Sequence, residues 1–172
     1  EQALRSKPAD AHLHATQALL LSISGQAQGM AAGAAQTFAT ARSAAEKALE
    51  LAPTAVDGHE ALAEVLRHAS AWEIAGPQNA ASKKRVAAQL ERALVACEAG
   101  LSLSPKRAPL IGTKGALLLL QARTSKLAKE QRVAAGLAVA ALEQALALNS
   151  QGLLAKELKP LLATARGLAQ GR

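Results

Sequence analysis

The chain has 172 residues, half of them hydrophobic, with Phe38 and Trp72 as its only aromatics and a formal net charge of +7. This is enough for one ordinary domain or one short array. No run approaches the roughly 18 apolar residues of a membrane span, Ala116 to Leu120 being only a short apolar piece, and a single cysteine, Cys97, excludes an internal disulfide.

The apolar content is mostly alanine and leucine, with few β-branched runs and no alternating strand-like segment, so the chain reads as all-α. Such a core forms where helices approach closely over small side chains and leucines fill the remaining gaps. The charge is uneven. Residues 1–100 carry nine Lys/Arg against ten Asp/Glu, whereas residues 101–172 carry eleven against three, a net of +8. A basic second half suits acidic protein, nucleic acid or anionic lipid, or simply a solvated face. The first residue is not methionine and no signal peptide follows it, as expected of a piece of a longer protein or of a processed mature chain.

Residues 1–8 read as a lead-in, with Pro8 placed to open a helix. Leu13, Ala18, Leu21 and Gly25 then fall at near-helical spacing, predicting a first helix of about four turns. A loop is expected within Gly25–Gly33, and a second helix from about Ala34 to Leu51 burying Phe38, Ala41, Ala45, Ala48 and Leu49. Thr54-Ala55-Val56-Asp57 fits a capping box, Thr54 serving the helix N–H groups and Asp57 reaching back. The third helix carries His59, Leu62, Ala63, Leu66 and Ala69, and Gly76-Pro77 ends it, glycine in the left-handed position and proline forbidding continuation.

A polar link, Gln78 to Arg85, leads to a long fourth helix through Val86, Leu90, Ala93, Leu94, Cys97 and Leu101. Ser104-Pro105 opens the fifth, with Ile111, Gly115, Leu118 and Ala122 in register. The charged segment Lys126–Arg132 bridges to a sixth through Leu137, Ala141, Leu142, Ala145 and Leu148. The last, from about Leu153 to Leu168, is interrupted by Pro160, predicting a kink or a fresh start there.

One ending is said three times. Ala48-Leu49-Glu50-Leu51-Ala52-Pro53 returns as Gly100-Leu101-Ser102-Leu103-Ser104-Pro105 and as Ala145-Leu146-Ala147-Leu148-Asn149-Ser150. A small, a variable and a small residue, four and three apart, precede each: Ala41, Ala45 and Ala48 before Pro53; Ala93, Cys97 and Gly100 before Pro105; Ala138, Leu142 and Ala145 before Ser150. Leu62, Ala63 and Leu66 follow the first breaker, and Lys114, Gly115 and Leu118 the second. This pattern resembles the tetratricopeptide repeat. The breakers stand 52 and 45 residues apart, against about 34 in an ordinary repeat, so the helices or the turns within hairpins must be longer. With Ala71-Trp72-Glu73-Ile74 after a long helix, the chain looks like the long-hairpin repeats that follow the kinase domain in some bacterial serine/threonine protein kinases.

The resemblance implies one α-solenoid domain over residues 1–172: three elongated hairpins, at about 9–53, 54–105 and 106–150, and a capping helix at 151–172. It implies a non-enzymatic, cytoplasmic signalling module that binds a protein or peptide, or a neighbouring domain of its own polypeptide, on a concave wall made by each hairpin's first helix. By register those positions are His12, Thr16, Leu19 and Ile23, then Asp57, Glu60, Glu64 and Arg67, then Thr113, Ala116 and Leu120. The lysine–asparagine clamp that some family members use for a terminal carboxylate is absent there, and the middle set is acidic, which favours a mixed apolar and basic peptide. The alternatives are self-association and an anionic surface or nucleic acid met by the basic second half.

No catalytic, cofactor or metal motif accompanies this. His12 and His14 are two residues apart and face different ways, and His59 and His68 are nine apart, unlike the i, i+4 pair of a helical zinc site. Cys97 sits at a packing position. The glycines from Gly25 to Gly33 lack the lysine and preceding strand of a phosphate loop, and no nucleophile elbow is present. Lys83-Lys84-Arg85 reads as a solvated loop before a helix, and two aromatics cannot supply the stacking platforms of single-strand binding.

Overall fold

A computed structural model describes residues 10–31 and 33–171; the expected lead-in and Pro8 lie outside them. The described residues form seven helices and no strand: α1 Ala11–Ala27, α2 Ala34–Leu51, α3 Val56–Ala75, α4 Ala80–Leu103, α5 Ala108–Thr124, α6 Ala128–Leu148 and α7 Gly152–Ala169. The fold is all-α. The chain divides into two compact units, Glu1–Leu103 and Ser104–Arg172. The sequence alone reads as one uninterrupted array; the division falls at its second breaker, Ser104-Pro105.

In the first unit α1 packs on α2, α3 packs on both, and α4 packs on α3. The reason lies in the small residues: Ala41, Ala45 and Ala48 of α2, and Ala93, Cys97 and Gly100 of α4, are all buried. With no bulk at those places the backbones approach closely. Two hairpins, α1–α2 and α3–α4, are stacked in register. His12 meets Asp57, Ser22 meets His68 and Glu46 meets Arg92, at separations of 45, 46 and 46 residues. Breakers at Pro53 and Pro105 are further apart than this because α4 has 24 residues where α2 has 18. The extra length lies within α4.

In the second unit α5 and α6 form a hairpin and α7 packs on both, mainly on α6. Ala138, Leu142 and Ala145 are buried as their repeat positions require. Gly115 lets Leu142 against the α5 backbone, and Gly112 does the same for Leu158 of α7. α7 is continuous through Pro160, without the restart the sequence suggested. Pro160 and Lys156, four residues earlier, are both exposed, so the carbonyl deprived of its donor lies on the wet side of the helix.

Three local expectations are corrected. Thr54 does not cap α3: the helix begins at Val56, its N-cap is Ala55, and no side chain bonds there. The turn Ala52–Ala55, closed by the Ala55 N–H on the Ala52 carbonyl at 3.0 Å, places Thr54 one residue too early, and Asp57 turns to His12 instead. Gly76 is extended rather than left-handed, at φ −84° and ψ −175°, because the residue before a proline is pushed out of the helical region. Lys83, Lys84 and Arg85 lie on α4, not in a loop. Asn79 caps that helix: its Oδ1 accepts from the Ser82 N–H at 2.8 Å while the Ser82 Oγ accepts from the Asn79 N–H at 2.9 Å.

Candidate functional site

Of the first-helix positions, His12, Thr16 and Ile23 of α1 are exposed and Leu19 is half-buried; Asp57, Glu60, Glu64 and Arg67 of α3 are all half-buried. α1 and α3 pack side by side in the first unit, and the two sets meet at one point of the seam between them. His12 Nδ1 stands 3.1 Å from Asp57 Oδ2 across it. Arg67 is held on its own helix by Glu64, Nε donating to Oε2 at 2.9 Å. The exposed neighbour Leu20 extends the apolar part beside Ile23. The third set differs. Thr113, Ala116 and Leu120 are only 8%, 5% and 7% exposed, so they offer a partner no surface and do not belong to an open groove. α5 is apolar on nearly every side and buried along most of its length; reading one face of it as wet is the error.

Beneath the α1–α3 surface lies a polar cluster that the sequence did not reveal. The Ser22 Oγ is 2.5 Å from His68 Nδ1, and Arg67 bonds His68 Nε2 through its guanidinium, with Glu64 Oε1 3.3 Å from the same nitrogen. Arginine can only donate, so Nε2 accepts and Nδ1 carries the proton that goes to Ser22. Burial, reinforced by the Arg67 charge and opposed by Glu64, lowers the His68 pKa from 6.5 to about 4. Serine, histidine and glutamate in sequence superficially resemble a charge-relay set. Yet Ser22 is fully buried and Nε2 is already occupied, so no substrate carbonyl can reach the hydroxyl. This cluster ties α1 to α3.

The sequence also missed a cleft between α2 and α4, floored by α3, with a volume of about 300 Å³. Phe38 and Trp72 wall it, ring centroids 6.0 Å apart and tilted by 50°. Phe38 fits because Gly25 has no side chain: a Cβ there would lie 2.9 Å from the ring. Trp72 is fixed by its Nε1–H donating to the Gly29 carbonyl at 2.7 Å, in a turn where Gly29 takes φ +57°. Arg42 and Arg85 stand at the rim. A hollow of about 600 Å³ in the second unit is lined from α5 and α6 alone, with Lys129, Val133 and Leu137 among its residues. Gln121, Thr124 and Ser125 of α5 replace Ala69, Trp72 and Glu73, at the 52-residue offset of the breakers, and Glu130 and Ala134 of α6 replace Arg85 and Gln89 at the 45-residue offset.

Among the described residues no three His, Cys, Asp or Glu side chains converge as metal ligands. The His59 Nε2 bonds the Pro53 carbonyl at 2.9 Å, and Cys97 is buried. Among the described residues no helix is long and apolar enough to cross a membrane. No protein-family model matches the chain, and no curated protein matches it.

Proposed function

We propose that this chain is a non-enzymatic protein-interaction module of the tetratricopeptide type, whose first unit takes an extended or helical peptide along α1 and α3. The reading rests on one observation: α1, which exposes Leu20 and Ile23, meets α3, which carries the half-buried acids Asp57, Glu60 and Glu64, with His12 against Asp57 at the seam. A few apolar anchors would supply affinity while the carboxylates set orientation and encounter rate. The partner is therefore an apolar and basic segment, either of another protein or of a neighbouring domain. In a cytoplasmic signalling protein such as a bacterial serine/threonine kinase, the module would serve as a regulatory segment. Fluorescence anisotropy with labelled Leu/Lys and Leu/Glu peptides tests this. Saturable binding of the basic peptide, weakened by Glu60→Lys, is expected. Tight binding of the acidic peptide, lost on Glu60→Ala, would overturn it.

A second reading, binding to nucleic acid or another anionic surface, draws on the second unit. Arg123, Lys126, Lys129 and Arg132 are all exposed, and the acids of residues 104–171 are only Glu130, Glu143 and Glu157. A steep fall of duplex binding with salt, without sequence preference, would favour this reading over the first.

A further inference from the structure

We propose that the cleft between α2 and α4 is a binding site for a small carboxylate carrying an apolar body. Its floor and walls are apolar, from Val65, Leu66, Phe38 and Trp72. Its volume of about 300 Å³ lies at the small end of ligand pockets.

The charges at the rim select the ligand's polar end. Arg85 is neutralised by Glu73, whose Oε1 accepts from the Arg85 Nε at 2.7 Å. Glu46 is taken by Arg92 from α4 at 2.7 Å, leaving Arg42 with Glu46 only at 3.9 Å. The charged residues lining the cleft are Arg42, Arg85 and Glu73, which leaves one positive charge, on Arg42, weakly answered. One guanidinium beside an apolar slot matches a monoanion with an apolar body. A dianion such as a phosphate monoester would leave a charge uncompensated beside Glu73.

The second unit argues that this furnishing is not demanded by the fold. At the same repeat positions it has Thr124 for Trp72, Ser125 for Glu73 and Glu130 for Arg85. The hollow persists there without the aromatic wall, and its charged lining residues, Lys129 and Glu130, balance. What the first unit alone has is the aromatic wall and one cation in excess over its acid.

Trp72 is the only tryptophan and lines the cleft, so its emission reports occupancy directly. The 172-residue chain is titrated with octanoate, octan-1-ol and octylammonium. Octanoate is expected to shift Trp72 emission saturably, and Arg42→Ala to weaken it by about tenfold while leaving octan-1-ol unchanged. Ala39→Leu, which fills the slot, is expected to abolish both responses, with far-UV circular dichroism confirming that each variant folds. No saturable change, equal binding of all three amphiphiles with Arg42→Ala silent, or octanoate binding that survives Ala39→Leu would each overturn the proposal.

Discussion

Ser22 and His68 meet at 2.5 Å between α1 and α3, 46 residues apart in sequence and buried from solvent. His68 is kept neutral there, with its pKa lowered to about 4, chiefly by burial and then by Arg67. The unfolded chain therefore binds a proton that the folded chain refuses between about pH 6.5 and pH 4. Stability from this site is complete above pH 6.5 and is lost as pH falls towards 4. A shift of this size corresponds to about 3 kcal/mol. Urea midpoints measured from pH 7.5 to 4 are expected to fall with acidification, and His68→Gln to flatten the part of that slope due to this group. An unchanged slope in the variant would show that other groups govern the acid limb.

Two helical glycines are expected to respond with opposite sign. A Cβ at Gly115 would sit 2.7 Å from the Leu142 Cγ and 3.2 Å from the Leu142 backbone nitrogen. Gly115→Ala must push α6 away, costing about 1–3 kcal/mol. Gly136 is also within a helix, but a Cβ there meets nothing within 4 Å. Gly136→Ala removes chain entropy from the unfolded state and is expected to stabilise by about 0.5–1 kcal/mol. Thermal melts of the two single variants decide the matter.

The contrast between those glycines marks what could be read in advance. The packing positions before each breaker were legible because a helix pair that packs closely needs them at fixed spacing, and all nine, eight small residues and Leu142, are buried. The α2 limits, Ala34 and Leu51, were legible for the same reason. Thr54 was not, since capping depends on a one-residue offset that composition does not set. Ser22 and His68 were invisible while the repeat was measured from breaker to breaker, at 52 residues; the packing repeat in the first unit is 45–46. The cleft was hidden similarly, as nothing in the sequence pairs Gly25 with Phe38 and Trp72. Thr113, Ala116 and Leu120 were misplaced because register names a face but not whether that face is wet.

Phe38 and Gly25 are expected to be coupled. A Cβ at position 25 would lie 2.9 Å from two ring carbons of Phe38, so Gly25→Ala alone displaces the ring from Trp72. Phe38→Leu alone leaves a partly filled space, costing on the order of 1–3 kcal/mol. In the double variant the added methyl enters space that the smaller side chain has vacated, so the double variant should cost less than the sum of the two single variants by about 0.5–3 kcal/mol. A double-mutant cycle by urea denaturation measures this. Trp72 emission supplies a second readout, since its 6.0 Å approach to Phe38 is lost in both single variants.

The start of α4 sets a favourable cap against unfavourable charge. Asn79 and Ser82 bond each other's backbone N–H groups at 2.8 and 2.9 Å, satisfying donors at the helix end. Lys83 and Lys84 follow immediately and are exposed, placing cations where the helix dipole favours anions. Asn79→Ala is expected to cost about 1 kcal/mol. Lys83→Glu is expected to stabilise by about 0.3–1 kcal/mol at low salt, an effect that shrinks as ionic strength rises. The cap loss is a short-range hydrogen-bond effect and should persist in salt, so urea denaturation of both variants at two salt concentrations separates the contributions. A cap variant whose cost vanished in salt would mean that Asn79 acts through charge and not through its bond to Ser82.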